Sequence, residues 1–165
     1  MLTEFNVTAL RIAESLRARG EKIAVADGAT GGLIAASLLT VPGALSFYVG
    51  GGVVYSAQAR DVLFGLDGDA FGKMRSATTE YAAIQARAIR DNFGADWGIA
   101  ESGAAGSSKH PSGVASGRSC CAIAGPGGIE AVQVTETESD DRIANMQIFT
   151  RRALEFLEAT LGKPA

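Results

Sequence analysis

Cysteine, proline and histidine are scarce in this sequence, and the scarcity of cysteine in particular excludes whole classes of site. The 165 residues include two cysteines, four prolines and one histidine. The cysteines, Cys120 and Cys121, are adjacent within an apolar segment, and this spacing suits neither a disulfide framework nor a metal site. We therefore expect reduced thiols in the core, no bound metal ion and a cytoplasmic location.

Basic clusters and long apolar runs are absent as well. The 15 basic and 18 acidic side chains give a net charge of -3 at pH 7. No basic patch is present to follow a nucleic-acid backbone or an anionic bilayer. No apolar stretch reaches the roughly 20 residues that span a bilayer, and the first residues do not form a signal peptide. We expect a soluble protein with neither nucleic acid nor membrane as a partner.

The patterns that are present predict an α/β domain. Apolar residues make up 47% of the chain, enough at this length for one domain, residues 1–165, to bury a full core. Helical and strand patterns alternate, which predicts a three-layer α/β/α domain with a mixed sheet. Strands at 118–124 and 129–136, joined by Gly-Pro-Gly-Gly, form its antiparallel hairpin. We further predict strands over Leu45–Tyr55 and Trp97–Ala100, with a loop of small residues from Glu101.

The segment Ala26 to Leu33, with sequence Ala-Asp-Gly-Ala-Thr-Gly-Gly-Leu, joins a predicted strand to a predicted helix. Free backbone N–H groups and glycines at such a turn favour anion binding, with Thr30 as the helix cap. A tight turn without a ligand is the alternative. Ligands of such sheets lie beyond the carboxyl ends of parallel strands, so this turn should lie near Tyr55-Ser56 and Ser102.

Three motifs resemble those of the CinA C-terminal domain family. Ala26 to Leu33 resembles its Ala-Glu-Ser-Cys-Thr-Gly-Gly-Leu, and residues 51–60 resemble its Gly-Val-Val-x-Tyr-Ser-Asn-Glu-Ala-Lys. Ser102 to Gly106 is similar to its Thr-Gly-Ile-Ala-Gly, and Asp141-Arg142 matches an Asp-Arg pair. The resemblance covers nearly the whole chain. It implies an anticodon-binding-domain-like fold, a homodimer, and an activity that hydrolyses the amide of nicotinamide mononucleotide.

The catalytic positions of the family are only partly retained. The family uses a serine nucleophile in the first motif, with a lysine base and an assisting tyrosine in the second. Those positions carry Gly28, Arg60 and Tyr55 here. Glycine offers no nucleophile, and a guanidinium stays protonated, so it binds anions but cannot accept a proton from a hydroxyl. The family chemistry is therefore expected to be lost, while the cation is kept.

The remaining candidates each have a structural alternative. Asp27 either orients a ligand or pairs with Arg60. Ser102 is either a substitute nucleophile or a loop hydroxyl bonded to its own backbone, and Tyr55 is either catalytic or a half-buried aromatic at a strand end. His110 is expected to be a solvated loop residue. The predicted ligand-binding residues are Asp27, Gly28, Thr30, Gly31, Gly32, Ser56, Arg60, Ser102, Gly103 and Gly106.

These features favour a pseudoenzyme that binds a small molecule, possibly a pyridine nucleotide, and has no cofactor. Neither glycine cluster forms a Walker A loop or a dinucleotide fingerprint. Two alternatives stay open from the sequence. One is an amidohydrolase-type enzyme with a changed nucleophile or substrate, and the other is a structural or regulatory dimer without a small-molecule site.

Overall fold

The computed structural model describes residues 1–66, 68–108 and 110–163, so four residues of the predicted domain lie outside the described part. The helices alternate with the strands in the predicted chain order. In sequence order the elements are α1 (Leu2–Arg19), β1 (Ile23–Asp27), α2 (Leu33–Leu39), β2 (Tyr48–Val53), α3 (Ala57–Phe64), α4 (Thr79–Asn92), β3 (Trp97–Ala104), β4 (Arg118–Ala124), β5 (Glu130–Glu136) and α5 (Arg142–Leu161).

The strands form one mixed sheet in the order β2-β1-β3-β4-β5. Strand β1 runs parallel to both β2 and β3, whereas β4 runs antiparallel to β3 and to β5. The prediction of a mixed sheet with a β4–β5 hairpin is therefore confirmed. The carboxyl ends of β1, β2 and β3 meet at one edge of the sheet, which positions the segments that follow them side by side.

Helices cover both faces of the sheet. Helices α1, α2 and α5 pack on one face around Ile12, Val25 and Leu157, and α4 packs on the other face around Ala82 and Ala100. Successive side chains of a strand point to opposite sides of the sheet, so the apolar strands contribute buried side chains to both faces. In the described part of the chain, no helix has both the length and the apolar composition needed to cross a membrane.

Several strand boundaries differ from the prediction, and the largest differences are in β2 and β3. Strand β2 begins at Tyr48, because a short 3₁₀ helix occupies Ala44–Ser46. Strand β3 continues past Ala100 to Ala104, so the predicted loop at Glu101 and Ser102 is wrong. The extension pairs with β4 residue by residue, and this pairing overrides the weak strand preference of small residues. Glu101 and Ser102 therefore lie on a rigid central strand.

The three consecutive glycines of β2 allow other groups to pack directly on the strand. A Cβ atom at Gly50 would lie 2.9 Å from the Phe93 ring, and one at Gly52 would lie 3.0 Å from Leu63. The groups that approach are side chains of the neighbouring helices.

Candidate functional site

A cavity of about 610 Å³ opens at the carboxyl ends of the parallel strands. The three segments that the sequence analysis expected to meet there do meet. The predicted residues on its wall are Gly28, Tyr55, Ser56, Arg60, Ser102, Gly103 and Gly106. They are joined by residues that the sequence analysis did not assign to a site, including Met74, Ser76, Tyr81, Ser108 and Arg142, and by His110.

Asp27 lies behind the cavity wall and caps helix α2. It is 1% exposed, and its carboxylate accepts hydrogen bonds from the Ile34 and Ala35 amides at 2.9 and 3.1 Å. The Thr30 hydroxyl donates to the same carboxylate at 2.6 Å. Among the described residues Asp27 forms these contacts and no ion pair with Arg60, whose charged partner is Asp61, and the alternative of a ligand contact stays a prediction.

Two backbone amides of the turn after β1 already donate hydrogen bonds to acceptors within the protein. The Thr30 amide donates to Glu101 at 3.0 Å, and the Gly31 amide donates to the Gly28 carbonyl, also at 3.0 Å. Helix α2 begins after Gly32, so Thr30 is not its cap as predicted. Thr30 is fully buried, and Gly31 and Gly32 lie outside the residues that line the cavity. The Thr30 and Gly31 amides of this turn are therefore already paired within the protein.

Glu101 lies next to the candidate site and was not predicted from the sequence to belong to it. It is 1% exposed on β3, and its carboxyl group contacts the Thr30 amide, the Thr30 hydroxyl at 3.2 Å and the Ser119 hydroxyl at 2.8 Å. Burial raises the pKa of Glu101 from 4.5 to about 7, and the charge of Asp27 adds to this rise against the opposing hydrogen bonds. The sequence feature that could have identified Glu101 is the presence of a charged residue within the otherwise uncharged run 97–105.

Thr30 links the two buried carboxyl groups, and its hydroxyl is expected to stabilise the fold. Replacing Thr30 with valine removes both of its side-chain hydrogen bonds while keeping the shape. Because the carboxyl groups stay buried without this partner, we expect the free energy of unfolding to fall by about 1–3 kcal/mol. Denaturant titration measures the change. Thr160→Val is the control, since the Thr160 hydroxyl only donates to the helix carbonyl of Phe156; an equal loss in both variants would contradict this role.

Gly28 is packed against the backbone of β3. A Cβ atom at this position would lie 2.2 Å from the Glu101 carbonyl oxygen and 3.2 Å from Oε2 of the same residue. The first distance is far inside van der Waals contact, and the clashing atom belongs to the backbone of a central strand. A side chain therefore does not fit at position 28 without displacement of the turn or of β3.

Arg60 lies on the cavity wall with its guanidinium 4.4 Å from the centre of the Phe71 ring. Its Nε donates to Asp61 at 3.0 Å, and one terminal nitrogen lies 3.5 Å from the Tyr81 hydroxyl. Burial opposes the charge, but the contacts with Tyr81 and Asp61 raise the pKa of Arg60 above its ordinary value. A permanently charged group in this position can attract an anion and cannot act as a base.

Ser102 and Ser56, both predicted to bind a ligand, use their hydroxyl groups in hydrogen bonds that stabilise the fold. The Ser102 hydroxyl accepts a hydrogen bond from the Ala77 amide at 2.9 Å, ahead of α4, so the prediction that it bonds its own loop backbone is wrong. The Ser56 hydroxyl accepts from the Ala59 amide at 3.1 Å and caps α3. Tyr55 is 73% exposed at the cavity wall, which contradicts the expected half-buried position.

His110 is a neutral side chain on the cavity wall. Its Nδ1 accepts a hydrogen bond from the Ser112 amide at 3.2 Å, and the Ser112 hydroxyl lies 2.6 Å from the same atom. A ring nitrogen that accepts from an amide carries no proton, so the proton of the neutral ring is on Nε2. Burial lowers the pKa of His110, in agreement with a neutral ring. His110 lies in a loop, as expected, and its side chain is partly buried there.

Arg142, at the start of α5, provides the second cation of the cavity. A Cβ atom at Gly106 would lie 2.3 Å from one nitrogen of its guanidinium, so the arginine side chain packs directly on this glycine and would have to shift to admit a larger residue. In the described part of the chain, no hydrogen bond or ion pair satisfies the Arg142 guanidinium, whereas Arg60 is paired with Asp61. The sequence match of Asp141-Arg142 had located this residue, although not its place in the cavity.

Comparison with known proteins places the chain in a family. The family model for the CinA C-terminal domain matches residues 6–161. The chain belongs to the CinA C-terminal domain family. A CinA-like protein of Prochlorococcus marinus is 32% identical over 91% of this chain, and one of Myxococcus xanthus is 34% identical over 70%. A CinA superfamily structure from Enterobacter cloacae covers 96% of this chain and is itself covered to 92%, with 25% identity and a TM-score of 0.87.

The CinA family assignment confirms the resemblance found in the sequence and the α/β fold. The chain spans about a third of the length of the curated CinA-like relatives, 35% for the Prochlorococcus protein and 28% for the Myxococcus protein. The match therefore concerns one domain of those relatives. In this CinA family member, the first motif keeps its place at the sheet edge and carries a glycine packed on β3.

Proposed function

We propose that this CinA family domain binds an anionic small molecule in the cavity and does not hydrolyse an amide there. The observation that carries the proposal is the close contact between Gly28 and the Glu101 carbonyl, which leaves no room for a side chain at the nucleophile position of the family. A pyridine nucleotide is the first candidate ligand, because the resemblance implies that relatives act on nicotinamide mononucleotide.

The charges and donors of the cavity support binding of an anion. Among the residues that the structure describes, none forms a hydrogen bond or ion pair with the Arg142 guanidinium, and Arg60 adds a second positive charge on the same cavity. Guanidinium groups form two parallel hydrogen bonds with phosphate or carboxylate oxygens. His110 and the hydroxyls of Ser76 and Ser108 are further polar groups on the wall. This set suits a phosphorylated ligand with polar groups along its length.

The same residues do not supply acyl-transfer chemistry. Attack on an amide needs a nucleophile that loses a proton and a base that accepts it near neutral pH. Position 28 has no side chain, and Arg60 cannot accept a proton. The Ser102 hydroxyl already accepts a hydrogen bond from the Ala77 amide, and in the described part of the chain no titratable side chain forms a hydrogen bond with this hydroxyl. We also propose a cytoplasmic location for the protein, because both of its cysteines are free and buried.

Loss of the Arg142 guanidinium is expected to weaken ligand binding. For Arg142→Ala we expect the dissociation constant for nicotinamide mononucleotide to rise about 10- to 100-fold, because a charge-assisted hydrogen bond contributes about 1.5–3 kcal/mol. Isothermal titration calorimetry measures the constant directly. Arg152→Ala removes an exposed arginine of the same helix, paired with Glu155, and is expected to leave the constant unchanged.

Two results would reject the proposed site. One is equal binding by Arg142→Ala and the unaltered protein, and the other is an equal loss in Arg152→Ala. Absence of any nucleotide binding would favour the structural or regulatory dimer, because ligand at about 100 times its dissociation constant should otherwise stabilise the protein by about 2.7 kcal/mol.

A further inference from the structure

Two buried carboxyl groups lie behind the cavity wall without a cationic partner among the described residues. Asp27 and Glu101 are each 1% exposed. Their hydrogen bonds come from backbone amides and from the hydroxyls of Thr30 and Ser119, and neither carboxyl group forms an ion pair in this part of the chain. Buried charges in proteins are ordinarily paired with an opposite charge. A positive charge brought by a ligand would complete this pairing.

The Glu101 carboxyl group packs against two glycines of the cavity wall. A Cβ atom at Gly28 would lie 3.2 Å from Oε2 of Glu101, and one at Gly103 would lie 2.6 Å from Oε1. Both glycines line the cavity. Neither has a side chain that could separate a ligand from the carboxyl group. A charge on the part of the ligand that faces these glycines would therefore act on Glu101 at short range, away from the screening of bulk water.

The positive charges of the cavity come from other elements. Arg60 lies on α3 and Arg142 is the first residue of α5, and both line the cavity. The carboxyl groups belong to β1 and β3. The two signs of charge are thus contributed from different sides of the site. A ligand with charges of both signs matches this arrangement better than a simple anion does.

Glu101 is the member of the carboxyl pair that exchanges a proton near neutral pH. Asp27 accepts hydrogen bonds from two amides at the start of α2 and from the Thr30 hydroxyl at 2.6 Å. The single proton of that hydroxyl is therefore not available to Glu101, which lies 3.2 Å from the same oxygen. Glu101 has the weaker set of donors, and burial raises its pKa from 4.5 to about 7.

The other titratable groups near Glu101 do not change their charge in this pH range. Cys120 and Cys121 of β4 face Glu101, and burial raises the pKa of both thiols above the ordinary value, so they stay neutral. Burial lowers the pKa of His110 on the cavity wall, and its ring is neutral as well. The proton of Glu101 is therefore the one that responds to a charge placed beside Gly28 and Gly103.

We propose that Glu101 makes the cavity selective for ligands that carry a positively charged group facing Gly28 and Gly103, in addition to an anionic group. This inference rests on the proposed function, because it names the ligand class of the same cavity. A cationic group stabilises the ionised carboxyl group, so its binding releases the Glu101 proton to solvent and changes no other bond. The preference for a cationic ligand therefore increases as the pH rises.

The test compares nicotinamide mononucleotide with its reduced form, which differs by one hydride and has an uncharged ring. Calorimetry measures both dissociation constants. For the unaltered protein we expect the oxidised nucleotide to bind about 10-fold more tightly at about pH 8.5, a coupling of ordinary size. At about pH 6.5 most of the protein keeps the Glu101 proton, and the preference should fall to about threefold. The phosphate is common to both nucleotides, so its own titration cancels.

Glu101→Gln removes the titrating group while keeping its shape. We expect this variant to lose most of the preference at every pH and to bind the reduced nucleotide as the unaltered protein does, which a distorted cavity would not do. Glu80→Gln makes the same change at an exposed glutamate of α4 and should keep the full preference. Ser119→Ala removes a hydrogen bond that lowers the pKa of Glu101, so the preference should appear at a higher pH.

The possible failures are distinguishable. Binding of both nucleotides with equal affinity across the pH range would overturn the role of Glu101 and leave the proposed anion site intact. An unchanged preference in Glu101→Gln would overturn it as well, as would a preference in Ser119→Ala with the pH dependence of the unaltered protein. Binding of neither nucleotide would reject the proposed function and this inference with it.

Discussion

The Glu101→Gln variant is expected to gain stability over the unaltered protein as the pH rises from about 4.5 to about 8, with a total gain of about 3 kcal/mol. The carboxyl group of Glu101 is buried, and its pKa rises from 4.5 to about 7. Each pKa unit corresponds to about 1.4 kcal/mol of differential stability. Glutamine fills the same space without an ionisable group, so it avoids the cost of a buried negative charge.

The sign of this pH dependence follows from the proton count. Between pH 4.5 and about 7 the folded protein keeps the Glu101 proton and the unfolded chain loses it. The folded state then binds more protons, so the free energy of unfolding falls as the pH rises. The contribution is fully present below pH 4.5 and is lost once the pH passes about 7.

Urea titrations at a series of pH values measure this difference. Glu14→Gln, a change at an exposed glutamate of α1, is the control and should follow the unaltered protein at every pH. Parallel curves for Glu101→Gln and the unaltered protein would show that Glu101 is ionised in the folded state throughout. The same result would mean that Thr30 and Ser119 solvate the carboxylate better than their geometry indicates.

Introducing the serine of the family at position 28 is expected to destabilise the protein and to restore no activity. The added Cβ atom would lie 2.2 Å from a backbone oxygen of β3, so the turn or the central strand must move. We expect Gly28→Ser to lower the free energy of unfolding by about 3 kcal/mol, as overpacking at rigid sites does. Thermal and urea denaturation measure the loss.

The control for this change is Gly162→Ser, where the nearest atoms to an added Cβ lie at ordinary contact distances of 3.5 and 3.6 Å. It should have a much smaller effect. The double variant Gly28→Ser, Arg60→Lys should likewise release no ammonia from nicotinamide mononucleotide, because the strand displaces the new hydroxyl from the cavity. A stable, active double variant would contradict this account and would show that two substitutions suffice to restore the family activity.

Local sequence patterns predicted most of the helices and strands, whereas the arrangement of the candidate site depends on contacts between residues far apart in the chain. The helical periodicity of 2–19 and 142–161 and the hairpin at 118–136 are properties of short segments, and the structure agrees with them. The length of β3 depends on its pairing with β4, which no local pattern contains. The loop predicted at Glu101 was wrong for this reason.

The hydrogen bonds of the first motif, residues 26–33, could not be predicted from the sequence either. A glycine-rich turn before a helix favours an anion site, but here Asp27 caps the helix and Glu101 receives the Thr30 amide. The second contact joins residues 71 positions apart. The resemblance to the family identified the changed positions 28 and 60, whereas Arg142 and His110 come together on one cavity only in the folded protein.

The most direct test of the proposed function is ammonia release from nicotinamide mononucleotide, measured on protein that calorimetry shows to be saturated with the nucleotide. A CinA family enzyme with serine and lysine at the positions matching 28 and 60 is the positive control. We predict saturable binding with no ammonia above the protein-free background. Turnover that copurifies with the unaltered chain and disappears in Arg142→Ala would contradict the account.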